Sequence, residues 1–362
     1  MKITVPTLLV DKQKCLANIK FMSDKAKKNN LIFRPHFKTH QAIEIGKWYR
    51  EFGVDKITVS SLRMAEYFAN AFWRDITVAF PVNILEINRI NSLAEKINLN
   101  LLITEIDSVK FINENLKHPV GFFIKIDTGT HRAGIDPKDK NLIDEILKEK
   151  NDALIFKGFL AHSGHTYKAK SVEEVRKIHE EGLSILTELK KSYLKDYPDM
   201  LISIGDTPSC SLMKNFKGAD EIRPGNFAFY DLQQWSNGVC DIEQIAVAVA
   251  CPVVAKNEGR REILIYGGGI HFSKDSFVME NGTTAFGYVV NLNDTGWDAP
   301  DKKSYVSSLS QEHGIIKASD ELFEETKIGD VLGILPSHSC MTAECMKKMF
   351  TLSGEEIDMM KY

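Results

Sequence analysis

The sequence predicts an α/β fold: an N-terminal (β/α)8 barrel of the TIM type joined to a C-terminal, mainly β domain. Three observations carry this reading. From residue 31 to about 230, eight short β-rich runs alternate with amphipathic helical stretches, the count that closes a barrel. The first strand-to-helix turn carries no G-x-G-x-x-G fingerprint, which argues against a dinucleotide-binding, doubly wound sheet. After about residue 235 helices become scarce, and apolar β-rich runs alternate with Gly and polar turns.

The expected barrel strands are LIFRPHFK (31–38), KITVSS (56–61), DITVAFPV (75–82), NLLITE (100–105), VGFFIKID (120–127), IFKGFLAH (155–162), LISIGD (201–206) and EIRPGNFAF (221–229). Between them, stretches such as LRMAEYFANAFW and VEEVRKIHEEGLSILTELKKSYLK repeat apolar residues at three- and four-residue spacing, the signature of helices with one buried face. Pro35 is an awkward resident of a central strand, because it lacks the N–H a ladder needs. Later come IEQIAVAVACPVVAK, REILIYGGG, TAFGYVV and DVLGILPSHSC, read as strands of the second domain. TVPTLLVD precedes the eight barrel strands and is assigned to the same β domain. The expected division is a barrel over 11–235 and a β domain over 1–10 and 236–362.

The bulk numbers exclude several classes. At 362 residues, 43% apolar and 26% charged, the chain has the composition of a soluble globular protein with a large core. A net charge of −3 and the lack of a sustained basic stretch argue against nucleic acid as a partner. No apolar run approaches the roughly 20 residues that span a bilayer. The N-terminus has no signal-peptide core with a cleavage site. Cys15, Cys210, Cys240, Cys251, Cys340 and Cys345 are scattered rather than patterned, the usage of a reducing compartment, so a cytoplasmic location is expected.

Catalytic groups of such barrels gather at the C-terminal ends of the strands, and the polar outliers fall there. In RPHFKTH (34–40), alternation puts Arg34, His36 and Lys38 on one face and Phe33 and Phe37 on the other. The apolar face packs on helices, so the cationic row points into the barrel mouth. A lysine crowded by other cations there is what a Schiff base requires. The fifth strand ends KIDTGTHRAGI and leaves Arg132 in the following loop. The sixth ends AHSGHTY and delivers His162, His165 and Tyr167. GDTPS and RPGNF, at the ends of the seventh and eighth, read as turns whose N–H groups cradle an anion. Taken singly, each residue has an ordinary structural explanation. Together they meet the two requirements of a phosphorylated aldehyde such as pyridoxal 5'-phosphate, a lysine for the aldehyde and turns for the phosphate, without singling it out from other anionic ligands.

RPHFKTHQ, KIDTGTHRAGI, AHSGHTY, GDTPS, RPGNF and PSHSC, in that order over nearly the whole chain, resemble the D-serine dehydratase and D-threonine aldolase family, which shares the alanine racemase type of pyridoxal-phosphate fold. The resemblance implies a homodimer whose active sites draw on both subunits. It implies Lys38 as the Schiff-base lysine and, once released, the base that takes the α-proton. Arg132 would contact the phenolic oxygen of the cofactor, His162 would lie near its ring, and Tyr167 would serve its pyridine side. Thr207, Gly225 and Asn226 would bind the phosphate, and His165 would be a second acid–base group.

His338 and Cys340, two apart in PSHSC, would share a face of a strand and reach one ion. Imidazole with thiolate favours zinc. In the resembled family, His-x-Cys with zinc marks the dehydratase branch, whereas the aldolase branch has His-x-Asp with a harder ion such as manganese or magnesium. The expected reaction is therefore dehydration of a D-3-hydroxy amino acid to a 2-oxo acid and ammonia. A metal-dependent aldolase is the alternative, with a racemase or a non-catalytic cofactor carrier further behind. One stretch departs from the family: YGGGIHFSKD (266–275) stands where an Asp-Ala-Gly turn is expected. It brings in His271, so a substrate other than D-serine is open.

Overall fold

The computed structural model describes residues 2–361. The chain forms two compact units. One comprises Phe21–Lys38 and Tyr49–Gly225. The other takes residues up to Lys20, Thr39–Trp48 and the stretch from Asn226 onward.

The first unit is the expected ring of eight parallel strands. In spatial order they are Ile32–Phe33, Glu221–Ile222, Leu201–Ile204, Leu154–Leu160, Val120–Lys125, Asn98–Ile103, Asp75–Pro81 and Lys56–Val59. A parallel bridge between His36 and Thr58 brings the last strand back to the first. Strands buried on both faces read as continuous apolar runs, and every residue of VGFFIK (Val120–Lys125) is buried. Leu102, Phe123 and Leu160, from three successive strands, pack into one core cluster. Gly158 allows a register shift there: at φ +128° its missing Cβ would fall 2.0 Å from the Leu201 carbonyl oxygen, so only glycine fits.

Two strands are shorter than their sequences imply. The first has regular pairing only over Ile32–Phe33, yet backbone bonding continues past it. The Pro35 carbonyl accepts the Thr58 N–H at 2.9 Å, His36 N–H donates to Pro224 and Phe37 N–H to Thr58, each at 2.9 Å. The missing N–H of Pro35 is therefore never called on. The eighth strand stops at Ile222, where Pro224 and Gly225 end the ladder, and Asn226–Ala228 turn as a 3-10 helix instead of extending it.

Alternation along the first strand holds. Phe37 packs outward among Tyr49, Phe68 and Trp73, with ring centroids 4.9, 5.0 and 5.1 Å away. Arg34 is buried inward, where its Nε donates to Glu221 at 2.6 Å and its Nη1 to Asp75. Ser203 donates to the other Glu221 oxygen at 2.6 Å. Removing one partner of such a pair strands a buried charge. Arg34→Met is expected to destabilise the protein by about 3–5 kcal/mol, read as a shift in urea midpoint at unchanged slope.

The second unit is a nine-stranded sheet. Its order is Glu262–Tyr266, His313–Lys317, Tyr305–Leu309, Gly287–Val290, Val331–Pro336, Val247–Asn257, Thr7–Val10, Lys348–Thr351 and Glu356–Asp358. Glu262–Tyr266 also pairs with the far half of Val247–Asn257, so the sheet curls on itself. TVPTLLVD contributes Thr7–Val10, antiparallel to Val247–Asn257. DVLGILPSHSC is only partly a strand: pairing ends at Pro336, and Ser339–Met346 form a helix. No helix among the described residues is long and apolar enough to cross a membrane.

Candidate active site

The barrel rim gathers the polar residues the sequence singled out. Lys38 is exposed just beyond the first strand, its backbone N–H 3.3 Å from His36 Nδ1. His162 follows the sixth barrel strand, and its Nδ1–H donates to the Gly205 carbonyl. Burial, with Lys38, Arg223 and Arg132 adding to it, holds the His162 pKa well below the usual value. The ring is therefore neutral, with its Nε2 lone pair free of a proton.

His165 is set by a hydroxyl whose bonding capacity is full. Thr130 Oγ1 donates to the His162 carbonyl at 2.8 Å and accepts the Gly164 N–H at 3.0 Å. Its remaining contact, 3.2 Å from His165 Nδ1, must then be accepted from that nitrogen. His165 consequently carries a proton on Nδ1, and the Thr130 hydroxyl fixes the orientation of its ring.

GDTPS folds as the capped start of a short helix. Asp206 caps the short helix Thr207–Leu212: its Oδ1 accepts from Ser209 N–H at 2.8 Å and from Thr166 Oγ1 at 2.9 Å. This leaves Thr207 Oγ1 buried and without a hydrogen bond to any described residue, while the Ser209 side chain bonds back to Asp206. A buried hydroxyl is rarely left as that of Thr207 is unless a ligand completes it. The Tyr167 hydroxyl accepts the Thr207 N–H at 3.1 Å, and its ring centroid lies 6.2 Å from that of His162. Gly225 ends this unit, and Asn226, the first residue of the other, also has a buried side-chain oxygen without a hydrogen bond.

Positive charge is dense around these groups. Lys125 is buried and its pKa falls to about 8, through burial, Arg223 and Arg132, partly offset by Asp127. Burial takes Arg223 down to about 10, with Glu221 opposing; its Nε and Nη2 donate to Ser203 Oγ and the Ala161 carbonyl, both at 2.6 Å. Arg132 is exposed in the loop after Asp127, whose Oδ1 accepts the Gly129 and His131 N–H groups at 2.9 and 3.1 Å. The unsatisfied Thr207 hydroxyl amid clustered cations fits the phosphate and phenolate of pyridoxal phosphate. Arg34 does not belong to this set, because Glu221 and Asp75 neutralise it in the barrel interior. Lys125 and Arg223 were missed by sequence reasoning although each sits inside a quoted motif.

The second unit holds His338 and Cys340, and here the strand reading fails. His338 caps the helix Ser339–Met346, and Cys340 lies in its first turn. They still meet: the imidazole hydrogen-bonds to the Cys340 sulfur, while His338 Nδ1 lies 2.9 Å from Asp275 Oδ2. Burial opposes charge on His338, but Cys340, Asp231 and Asp275 outweigh it and raise its pKa to about 10. The Cys340 sulfur is 3.3 Å from Thr39 Oγ1 and 3.6 Å from Asn226 Nδ2, whose nitrogen also donates to Asp231 at 2.6 Å. An imidazole and a sulfur in an acidic surround suit zinc. No group of three or more His, Cys, Asp or Glu able to hold an ion occurs among the described residues. A cation on this pair would thus keep open positions. His271 is in the same unit, on the short helix Gly269–Phe272, which packs against Ser339–Met346. Its Nδ1 accepts the Gly268 N–H at 3.1 Å, and its Nε2 is 3.9 Å from Glu312.

Buried neutral histidines have a stability signature. Burial lowers the His40 pKa to about 3, a backbone bond from Ala42 opposing. Its folded pKa lies below its unfolded value of about 6.5, so the unfolded chain binds the proton first. Stability is full above that value and falls as pH drops towards 3, by up to about 1.4 kcal/mol per unit for each such histidine. Urea midpoints at pH 7 and pH 5 should differ accordingly, and His40→Gln should reduce the difference.

Barrel and sheet are the two parts of the alanine racemase type of fold. Residues 10–233 match the alanine racemase N-terminal domain, and residues 246–352 match the serine dehydratase domain. D-serine dehydratase of Dictyostelium discoideum is 32% identical over 98% of this chain and 94% of its own length. D-threo-3-hydroxyaspartate dehydratase of Delftia sp. is 25% identical over 94% and 92%. Its solved structure superimposes with a TM-score of 0.91, at 22% identity over 100% of this chain and 98% of that one. A 3-hydroxy-D-aspartate aldolase of Paracoccus denitrificans is 24% identical over 93% and 85%. The chain belongs to the D-serine dehydratase family of pyridoxal phosphate-dependent lyases.

Proposed function

We propose that the protein is a zinc-dependent dehydratase that converts a D-3-hydroxy amino acid to a 2-oxo acid and ammonia. The observation that favours dehydration over aldol cleavage is the donor pair itself: the second ligand is the sulfur of Cys340, not a carboxylate. Lys38 holds the cofactor and, once released, removes the substrate α-proton. Thr207, Gly225 and Asn226 would hold the phosphate, Arg132 would contact the phenolic oxygen, and the neutral His162 ring would lie near that of the cofactor. Tyr167 belongs to the same cofactor shell, at its Thr207 end. His165 would be the second acid–base group, acting at the β-oxygen. Pyridoxal phosphate supplies the electron sink for the α-carbon. Zinc on His338 and Cys340 supplies a Lewis acid for the departing hydroxyl.

The proposal includes a functional boundary near residue 235, a homodimer with active sites shared between subunits, and a cytoplasmic location. The similarity to an aldolase keeps carbon–carbon cleavage as the second reading. The test is a panel of D-serine, D-threonine and D-threo-3-hydroxyaspartate with their L counterparts. Stoichiometric 2-oxo acid and ammonia from a D substrate alone supports the reading. Racemisation without ammonia contradicts it.

A further inference from the structure

Asp275 and His338 are 63 positions apart in sequence, yet their side chains meet at 2.9 Å between Oδ2 and Nδ1. Asp275 is itself fixed. The Ser273 hydroxyl donates to Asp275 Oδ2 at 3.0 Å, and the Asp275 N–H donates back to Ser273 Oγ at 3.1 Å. Ser273 has φ +67°, left-handed backbone that a non-glycine residue adopts only when its surroundings enforce it. Those surroundings are the helix that carries Cys340. The Cys345 sulfur accepts the Ser273 N–H, and the Thr342 hydroxyl donates to the Phe272 carbonyl at 3.1 Å. The segment 272–275 is thus bound to the helix Ser339–Met346 at several points, and its carboxylate is aimed at one nitrogen of one ring.

A carboxylate on Nδ1 selects the Nδ1–H tautomer and leaves the Nε2 lone pair for a cation. We propose that Asp275, braced by Ser273, is the positioning residue of the metal site: it orients His338 Nε2 towards the ion that His338 and Cys340 share. This inference rests on the metal reading proposed above.

The experiment measures zinc affinity of the cofactor-loaded protein, without substrate, by competition with a chromophoric chelator. Asp275→Ala is expected to weaken zinc binding by about 10- to 100-fold. Asp275→Asn keeps an acceptor for Nδ1–H but loses the charge, and should fall between. Ser273→Ala should weaken binding less than Asp275→Ala. The metal-free melting temperature and the visible spectrum of the cofactor should be unchanged in all three. Unaltered affinity in Asp275→Ala overturns the proposal. So does a loss of affinity that comes with a lower metal-free melting temperature, which would make Asp275 a structural residue. If the unaltered protein takes up no zinc, the metal reading itself fails and this inference with it. That outcome is distinct from normal zinc uptake that Asp275→Ala leaves intact.

Discussion

Lys38→Ala is expected to lower kcat by at least about 10^3-fold, within the range that a positioned acid–base group contributes, and to leave the protein without covalently held cofactor. Lys38 sits exposed beyond the regular pairing of its strand, so the fold has little to lose. The melting temperature of the cofactor-free protein should therefore match that of the unaltered chain. Lys38→Arg should fail similarly despite keeping the charge, because a guanidinium, protonated throughout the accessible pH range, offers no nucleophilic amine. The measurement is the visible spectrum after dialysis against buffer, alongside turnover. Retention of the spectrum would assign the cofactor to another lysine, and buried Lys125 would be the first to test.

Cys340→Ala is expected to separate the two cofactors. Its ammonia release should fall by about 10^2- to 10^3-fold, the several kcal/mol that a Lewis acid contributes, while the visible spectrum persists. Alanine favours helices, so the first turn of Ser339–Met346 should tolerate it. Chelation of the unaltered protein should have the same effect and be reversed by zinc. Cys340→Asp replaces the soft sulfur with oxygen and should move the preference towards manganese. Metal titrations of the chelated proteins check this.

Much of this molecule is legible in its sequence, and the limits have physical causes. The eight barrel strands show because a strand buried on both faces must be apolar throughout, as VGFFIK is. Their ends are less clear. Apolar content continues through RPGNF, but Pro224 and Gly225 end the ladder before it does. His338 and Cys340 look like alternate residues of a strand because PSHSC directly follows the apolar strand residues. The helix after it begins without the Ser, Thr or Asp cap that would announce it.

Arg34 shows the same limit differently. Alternation gives its direction correctly, but its partners Glu221 and Asp75 lie 187 and 41 residues away. No local pattern announces that pairing, so the charge looks available to the rim when it is already matched. Asp275 is harder still, since only the folded sheet brings it to His338. The assignment of Thr39–Trp48 to the sheet unit is likewise a product of tertiary packing. By contrast the rim histidines, Thr207 and Lys38 stand out in the sequence because barrels concentrate polar residues at strand ends, where core packing gives no reason for them.

A sulfur ligand at Cys340 is expected to make the protein a dehydratase rather than an aldolase. D-threonine tests it most directly, because the two reactions give different carbon skeletons from the same substrate. Protein loaded with zinc and pyridoxal phosphate is incubated with D-threonine and all products are quantified. Equal amounts of 2-oxobutanoate and ammonia are expected, with little glycine. Glycine and acetaldehyde as the main products would contradict the account and make the protein an aldolase with a sulfur-ligated metal.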